Sequence, residues 1–281
     1  MTLPGEIQRG FQSLAQQDEE TFNLCEAGLL VGKVLKPSLE LNRYRDEIDR
    51  LSQDLNTRFQ GLCLHNDPLQ AKVETLQTLF CKEKGFQGDE DAYDDLDHMN
   101  MACLLDEKYG TALCLSMLFI HCTRQCGWAV FGLNFPGYNL ICIEHGAKRA
   151  ILDPFQGCIE LDAYTLRQMI KVLGGAEAEL QPLFYDMLPS KTLFIRHLGA
   201  IKAHFLRCDQ VSQALEILEI CHILEPSSPA FWRDSGLLHA RIGQLSEAIQ
   251  ALKTALKYTT DIDAIRHTER ILSDLQNKTQ S

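Results

Sequence analysis

Between Glu19 and Phe80 the apolar positions recur at helical steps. Phe22, Cys25, Leu29, Leu30 and Val34 fall three and four residues apart, and Leu39, Ile48, Leu51 and Leu55 carry a second stripe. The stripes break at Lys36-Pro37-Ser38 and Asn66-Asp67-Pro68, because the residue before a proline leaves helical space. Ser38 and Asp67 are each placed to cap the next helix. Three or four helices are therefore expected before the pattern changes. At 85–97 the chain reads GFQGDEDAYDDLD, with six of the ten positions 88–97 acidic and two glycines interrupting the periodicity. This predicts a solvated acidic loop, since no Asp-x-Asp-x-Asp-Gly calcium loop is present.

The middle of the chain changes character. Residues 112–125 predict a mostly buried helix, followed by three β-rich runs at Trp128–Phe135, Asn139–Glu144 and Arg149–Asp153. Pro136-Gly137 turns the chain between the first two runs, and His145-Gly146-Ala147 makes a tight connection between the second and third. Numbers paired across that hairpin should sum to about 292, which sets Tyr138 opposite Asp153-Pro154.

The C-terminal part is helical again and repeats itself. Ala214, Leu218 and Cys221 recur as Ala248, Leu252 and Ala255, each 34 positions later, the period of a tetratricopeptide helix pair. Trp232, Gly236, Gly243, Ala248 and Ala255 stand at that repeat's spacing, where small residues let two antiparallel helices approach closely. Pro226 ends the first copy. Two copies need further partners to bury their faces, so residues 263–275 are expected to form a capping helix.

Composition fits an ordinary globular protein of 281 residues, 45% hydrophobic and 23% charged. Its longest nearly apolar run, LCLSMLFI at 113–120, falls short of the ~18 residues a membrane span needs. The opening MTLPGEIQRG lacks the basic start and apolar stretch of an export signal. The expectation is a cytoplasmic protein with no membrane partner. A formal charge of −11 repels nucleic-acid phosphates, so no nucleic-acid partner is expected either. The eleven cysteines, spread from Cys25 to Cys221, read as reduced thiols in a core rather than as a disulfide framework.

Four stretches carry a family resemblance: GFQGDEDAYDD at 85–95, LLDEKYGTALCLS at 104–116, GLNFPGYNL at 132–140 and ILDPFQG at 151–157. In this order and spacing, residues from about 20 to 172 resemble the bacterial SirB-type proteins, in which a transglutaminase-like domain precedes tetratricopeptide repeats. The resemblance implies an α+β fold. A helical N-terminal section (1–97) would precede a transglutaminase-like, papain-like core with a small antiparallel sheet (98–190), followed by tetratricopeptide α-hairpins (191–281).

It also implies where chemistry would sit. In such a core a cysteine at a buried helix N-terminus has its thiolate stabilised by unpaired N–H groups. A histidine starting an adjacent strand takes the proton, and an Asp on the next strand fixes the ring. The corresponding positions here are Cys114, Tyr138 and Asp153, although counting back from Gly127 puts the family's nucleophile nearer Ala112. Tyr138 replaces the histidine of the family's PGH motif, and no histidine lies within four residues of it. A phenol with a reference pKa of ~10 supplies little base at neutral pH, where imidazole at ~6.5 would serve. Met99 and Cys103 stand where relatives tend to carry Ser and Glu.

The expected function is therefore a non-catalytic protein-binding or regulatory protein. A degenerate triad would sit in the core, and the C-terminal repeats would hold a protein or peptide partner. The alternative is a cysteine hydrolase or acyl-transferase using Cys114 and Asp153, with His98 or His145 as a displaced base. The resemblance also suggests a part in bacterial regulatory networks, exerted through proteins given the acidic chain. His121, Cys122 and Cys126 share a helical face but lack a CxxC or His-x3-His partner. They are read as core residues, and no metal or cofactor is expected.

Overall fold

The computed structural model describes residues 3–64, 66–89 and 95–280, the last three by backbone alone. Residues 90–94 of the acidic stretch therefore lie outside the described residues. The N-terminal half contains α1 (Gly5–Ala15), α2 (Leu24–Leu35), α3 (Leu41–Cys63), α4 (Pro68–Leu76), β1 (Gln87–Gly88), α5 (Met101–Glu107), β2 (Tyr109–Gly110) and α6 (Ala112–Gln125). Next come β3 (Ala129–Leu133), β4 (Ile141–His145), β5 (Lys148–Asp153), β6 (Ile159–Glu160), α7 (Ala163–Gly174) and β7 (Met187–Leu188). Five helices complete the chain: α8 (Ser190–Arg207), α9 (Val211–Leu224), α10 (Pro229–Arg241), α11 (Leu245–Tyr258) and α12 (Ile262–Gln280). Residues 17–197 form one compact unit, and residues 1–16 with 198–281 form another. No helix among the described residues is long and apolar enough to cross a membrane.

In the 17–197 unit the helix breaks fall at the two prolines, but only one of the expected caps is used. Asp67 accepts from the N–H groups of Leu69 and Gln70 and starts α4. Ser38 caps nothing. The chain runs on two residues further, and α3 begins after Glu40 without a side-chain cap. Beyond α4 the helix loosens into a π-helical turn, Gln77–Glu83. Phe80, Phe86 and Phe119 then fill the core, with Phe119 5.0 Å from Phe80 and 6.3 Å from Phe86 between ring centroids.

The buried helix α6 runs over the predicted span, and all its residues from Ala112 to Ile120 are buried. Thr111 caps it. Its hydroxyl accepts from the Cys114 N–H at 3.3 Å, and its own N–H donates to the His98 carbonyl at 3.1 Å. Thr111→Ala should cost about 1 kcal/mol of stability, read from the midpoint of urea unfolding.

The sheet is antiparallel throughout, in the order β6-β5-β4-β3-β7. The β4–β5 hairpin pairs Ile141 with Leu152 and His145 with Lys148, one residue out from the expected register. Pairing begins at Ile141, so Tyr138 stands outside the strand and is not set opposite Asp153. The strands β6 and β7, two residues each, are too short to announce themselves by alternation, whereas α7 has Leu166 and Ile170 at helical spacing and went unread. One face of the sheet buries Leu133, Phe135, Leu140, Cys142 and Ile151 against Leu166 and Ile170 of α7.

In the other unit, α10 and α11 form an antiparallel pair closed by α12. Ala248, Leu252 and Leu275 make one buried cluster there. A β-carbon on Gly236 would lie 2.6 Å from Leu252 Cγ and 3.2 Å from the Ala248 carbonyl oxygen, so the two helices meet where only glycine fits. The turn before each second helix repeats as well: Gly243 (φ +79°) and Asp209 (φ +57°), 34 positions apart, both take the left-handed conformation. Helix α1, which the sequence did not announce, buries Ile7, Phe11 and Leu14 and packs on α9.

Candidate functional site

Cys114 is the third residue of α6, held there by the Thr111 cap. The cap places its main chain at the helix end, but the side chain turns into the core. The thiol is 0% exposed, and the nearest histidine is His197 of α8, whose Nδ1 lies 4.0 Å from Cys114 Sγ. His197 is 1% exposed and its Nε2 has no hydrogen-bond partner. Burial pushes the Cys114 thiol up to about 12, although the Thr111 hydroxyl pulls the other way. Burial likewise pushes the His197 imidazole down to about 4, against the nearby Met99 main chain. Both groups are neutral at pH 7. Moving the thiol proton onto the ring against such values costs on the order of 10 kcal/mol before the pair's own attraction. The helix dipole, which favours a thiolate at an exposed N-terminus, is outweighed by the loss of water.

The other two triad positions lie elsewhere. Tyr138 packs on Phe135, with centroids 6.2 Å apart, and joins the cluster beneath α7. It lines an open depression of about 510 Å³ together with Asn134, Phe184 and Arg196, and neither Cys114 nor Asp153 lines that depression. Asp153, 8% exposed, ends β5 and accepts from the Phe155 N–H at 2.9 Å. Burial raises its carboxyl, partly offset by the N–H groups of Phe155 and Gln156. Its place is that of a turn former: the main chain of Phe155 accepts from the Gly88 N–H at 3.1 Å, so the DPFQG and GFQG stretches meet. Among the described residues no hydrogen bond or ring contact joins Tyr138 or Asp153 to Cys114.

The displaced bases considered from sequence are also placed elsewhere. His98 lies 3.8 Å from Asp89 and 4.0 Å from Glu107. His145 is exposed at the end of β4. Ala112, the other candidate position for a nucleophile, is a buried first residue of α6. Met99 is buried, and Cys103 Sγ accepts from Lys36 Nζ at 3.4 Å while Lys36 also pairs with Asp97 at 2.6 Å. The Cys126 thiol donates to the Ser52 carbonyl at 3.3 Å, and Cys122 points at the Ile48 carbonyl at 4.0 Å. Burial raises Cys122 to about 12 and lowers His121 to about 4. Among the described residues no group of three His, Cys, Asp or Glu side chains is placed to hold a metal.

Sequence reasoning missed His197, 83 residues from Cys114 and outside the matched motifs. It also missed Cys208, exposed at 3.6 Å from His204 Nε2 just past the C-terminus of α8. There the helix dipole opposes a thiolate. In the repeat helices a groove of about 350 Å³ opens between α9, α10 and α11, lined by Glu219, His222, Trp232, Ser235 and His239 among others. Its wall is well ordered by local contacts. Trp232 stacks on His222 at 3.8 Å and donates to the Pro226 carbonyl at 2.7 Å, and His222 Nε2 meets Ser235 Oγ at 2.8 Å.

Comparison with known proteins agrees with this division. The transglutaminase-like superfamily matches residues 42–199, and the tetratricopeptide repeat matches residues 201–272. A UPF0162 protein of Xylella fastidiosa (strain Temecula1) is 26% identical over 262 residues, covering 91% of this chain and 92% of the relative. A UPF0162 protein of Vibrio cholerae is 26% identical over 231 residues, covering 82% and 84%. Protein SirB1 of Salmonella typhimurium is 23% identical over 232 residues, also covering 82% and 84%. No solved structure matches significantly. With more than half its length matched, the chain belongs to the transglutaminase-like superfamily and carries tetratricopeptide repeats behind that core.

Proposed function

We propose that this protein is a non-catalytic binding protein of the cytoplasm, regulatory in role, whose repeat helices hold a protein or peptide partner while the transglutaminase-like core serves as scaffold. The observation that carries the reading is the state of Cys114. Its thiol is sealed from solvent, protonated at neutral pH, and far in kind from an activated nucleophile. The groove of the repeats, in contrast, is open and combines an indole, two imidazoles and carboxylates, the mixture that grips extended peptide segments.

The test compares three full-length proteins as bait for cellular proteins: wild type, Cys114→Ala, and the groove variant His239→Glu with Gln250→Arg. A partner held by the first two and lost from the third is the expected result. Retention by the groove variant would sink the reading.

A second reading has one observation in its favour, the 4.0 Å approach of His197 to Cys114. Under it the pair would be a cysteine hydrolase or acyl-transferase dyad, with His197 in place of His98 or His145. Alkylation decides between the two. As a scaffold residue, Cys114 should resist iodoacetamide at pH 8 in the folded protein and react only on unfolding. Rapid labelling of folded protein, with a pH midpoint below ~8.5, would support the dyad instead.

A further inference from the structure

We propose that the open depression lined by Tyr138 and Arg196 is a binding site for a small aromatic carboxylate, held by the Arg196 guanidinium beside a set of aromatic rings. Its volume of about 510 Å³ is that of a small-molecule site. Phe135, Tyr138 and Phe184 supply the rings, with Phe135 6.2 Å from Tyr138 and 6.0 Å from Phe184 between centroids. Asn134 and Asn139 add side-chain amides. Among the described residues that line the depression, Arg196 is the one that carries a charge.

The walls are fixed by contacts of their own. Residues 134–139 form a closed loop: the Leu133 N–H donates to the Leu140 carbonyl at 2.9 Å across its base, and the Asn134 N–H donates to the Asp186 carbonyl at 2.9 Å. The Ser116 hydroxyl of α6 donates to the Asn139 carbonyl at 3.1 Å. Leu173 of α7 covers Gly137, where an added β-carbon would come within 2.6 Å of Leu173 Cδ1. Arg196 reaches the depression from α8, and its Nη2 donates to Asn134 Oδ1 at 2.9 Å, which orients the guanidinium plane. A ligand entering such a site has little protein to order.

The polar groups of the lining lack partners. Arg196 donates to a neutral amide, and among the described residues no carboxylate pairs with it. Partial burial alone lowers its pKa, with no neighbouring charge to offset the loss of water. The remaining guanidinium N–H groups, the Tyr138 hydroxyl and the Asn139 side-chain amide make no hydrogen bond among the described residues.

This chemistry selects the ligand. A guanidinium meets a carboxylate with two parallel N–H···O bonds, and one unpaired cation balances its single charge. A phosphate group carries about −1.5 to −2 at pH 7 and calls for a second cation or a helix N-terminus, neither of which lines the depression. The rings accept a flat apolar body. Tyr138, standing where the family's histidine would act as a base, serves here as a hydrogen-bond donor. The ligand is held and not transformed, because Cys114 is sealed in the core and does not line the site.

The depression belongs to the 17–197 unit and the groove to the other, so this inference stands or falls apart from the binding role of the repeats. Its test is a ligand-observed NMR titration of the full-length protein with benzoate and with benzamide, the neutral counterpart. Benzoate should bind at least about tenfold more tightly, the smaller end of what a charged hydrogen bond contributes. Arg196→Gln should weaken benzoate by about tenfold or more and leave benzamide unchanged. Tyr138→Phe, which removes only the hydroxyl, should weaken benzoate about threefold. The groove variant His239→Glu with Gln250→Arg should bind benzoate as wild type does. Gly-Gly-Phe, with a ring and a carboxylate at a chain end, should compete less well than benzoate; if it competes better, the occupant is a peptide terminus and the small-molecule assignment falls. The proposal is overturned if benzoate does not bind, if benzamide binds equally well, or if Arg196→Gln holds benzoate as tightly as wild type.

Discussion

Gly236→Val is expected to destabilise the repeat helices by about 2–3 kcal/mol, the scale of overpacking in a close-packed interface. The valine β-carbon would meet Leu252 Cγ at 2.6 Å and the Ala248 carbonyl at 3.2 Å, and Leu252 is fully buried with α12 closing over it. The helices must separate to admit the side chain, and the Leu275 contact is lost with them. Gly236→Ala should cost less, because alanine's better helix propensity offsets part of the clash. Trp232 reports the event from within α10. In a Trp128→Phe background its fluorescence isolates this unit, and the urea midpoint should fall in the order glycine, alanine, valine. A valine protein with the wild-type midpoint would show that the helices do not approach as closely as described. The same variant should lose any partner held by the groove of α9, α10 and α11.

Lowering the pH from 7 to 4 should destabilise the 17–197 unit by about 3 kcal/mol through His197 alone. Burial holds its imidazole at about 4, below the ordinary 6.5. The unfolded chain therefore takes up the proton first. The stability contributed by the neutral ring is complete above pH ~6.5, declines as pH falls, and is lost once pH passes through the folded value. His197→Leu removes the titrating ring while keeping an apolar side chain. It should flatten the dependence of the unfolding midpoint between pH 6.5 and 4 relative to wild type, whatever the carboxylates contribute to both. Equal slopes would mean that His197 takes up its proton as readily in the folded protein as in the unfolded chain, and so is not held neutral by burial.

The elements with strong local signals were legible without a structure. The α6 span, the three meander strands and the 34-residue repeat all follow from apolar periodicity and small residues at fixed spacing. Prolines located the helix breaks, yet Ser38 is not a cap because two more residues leave the turn before α3 begins. The hairpin register was off by one residue because Gly146 and Ala147 alone make the turn, with His145 already paired. Helix α1 went unread although Ile7, Phe11 and Leu14 stand at helical spacing; at 11 residues it is too short to be stable alone, and α9 offers the face its apolar side packs on.

For the candidate site the limits are of a different kind. Local pattern located Cys114 at a helix start and Asp153 at a strand end, but pattern along one segment carries no information on what stands across the core. His197 comes from another helix, 83 residues along the chain from Cys114.

Short-range pattern was enough to specify the kind of protein, a helix-rich α+β core followed by paired helices, since both depend on periodicity that survives in any context. The protonation of the groups at its heart was set by three-dimensional packing instead. Whether a thiol or an imidazole carries charge depends on water access and on neighbours brought in from distant segments, and burial here leaves Cys114 and His197 both neutral.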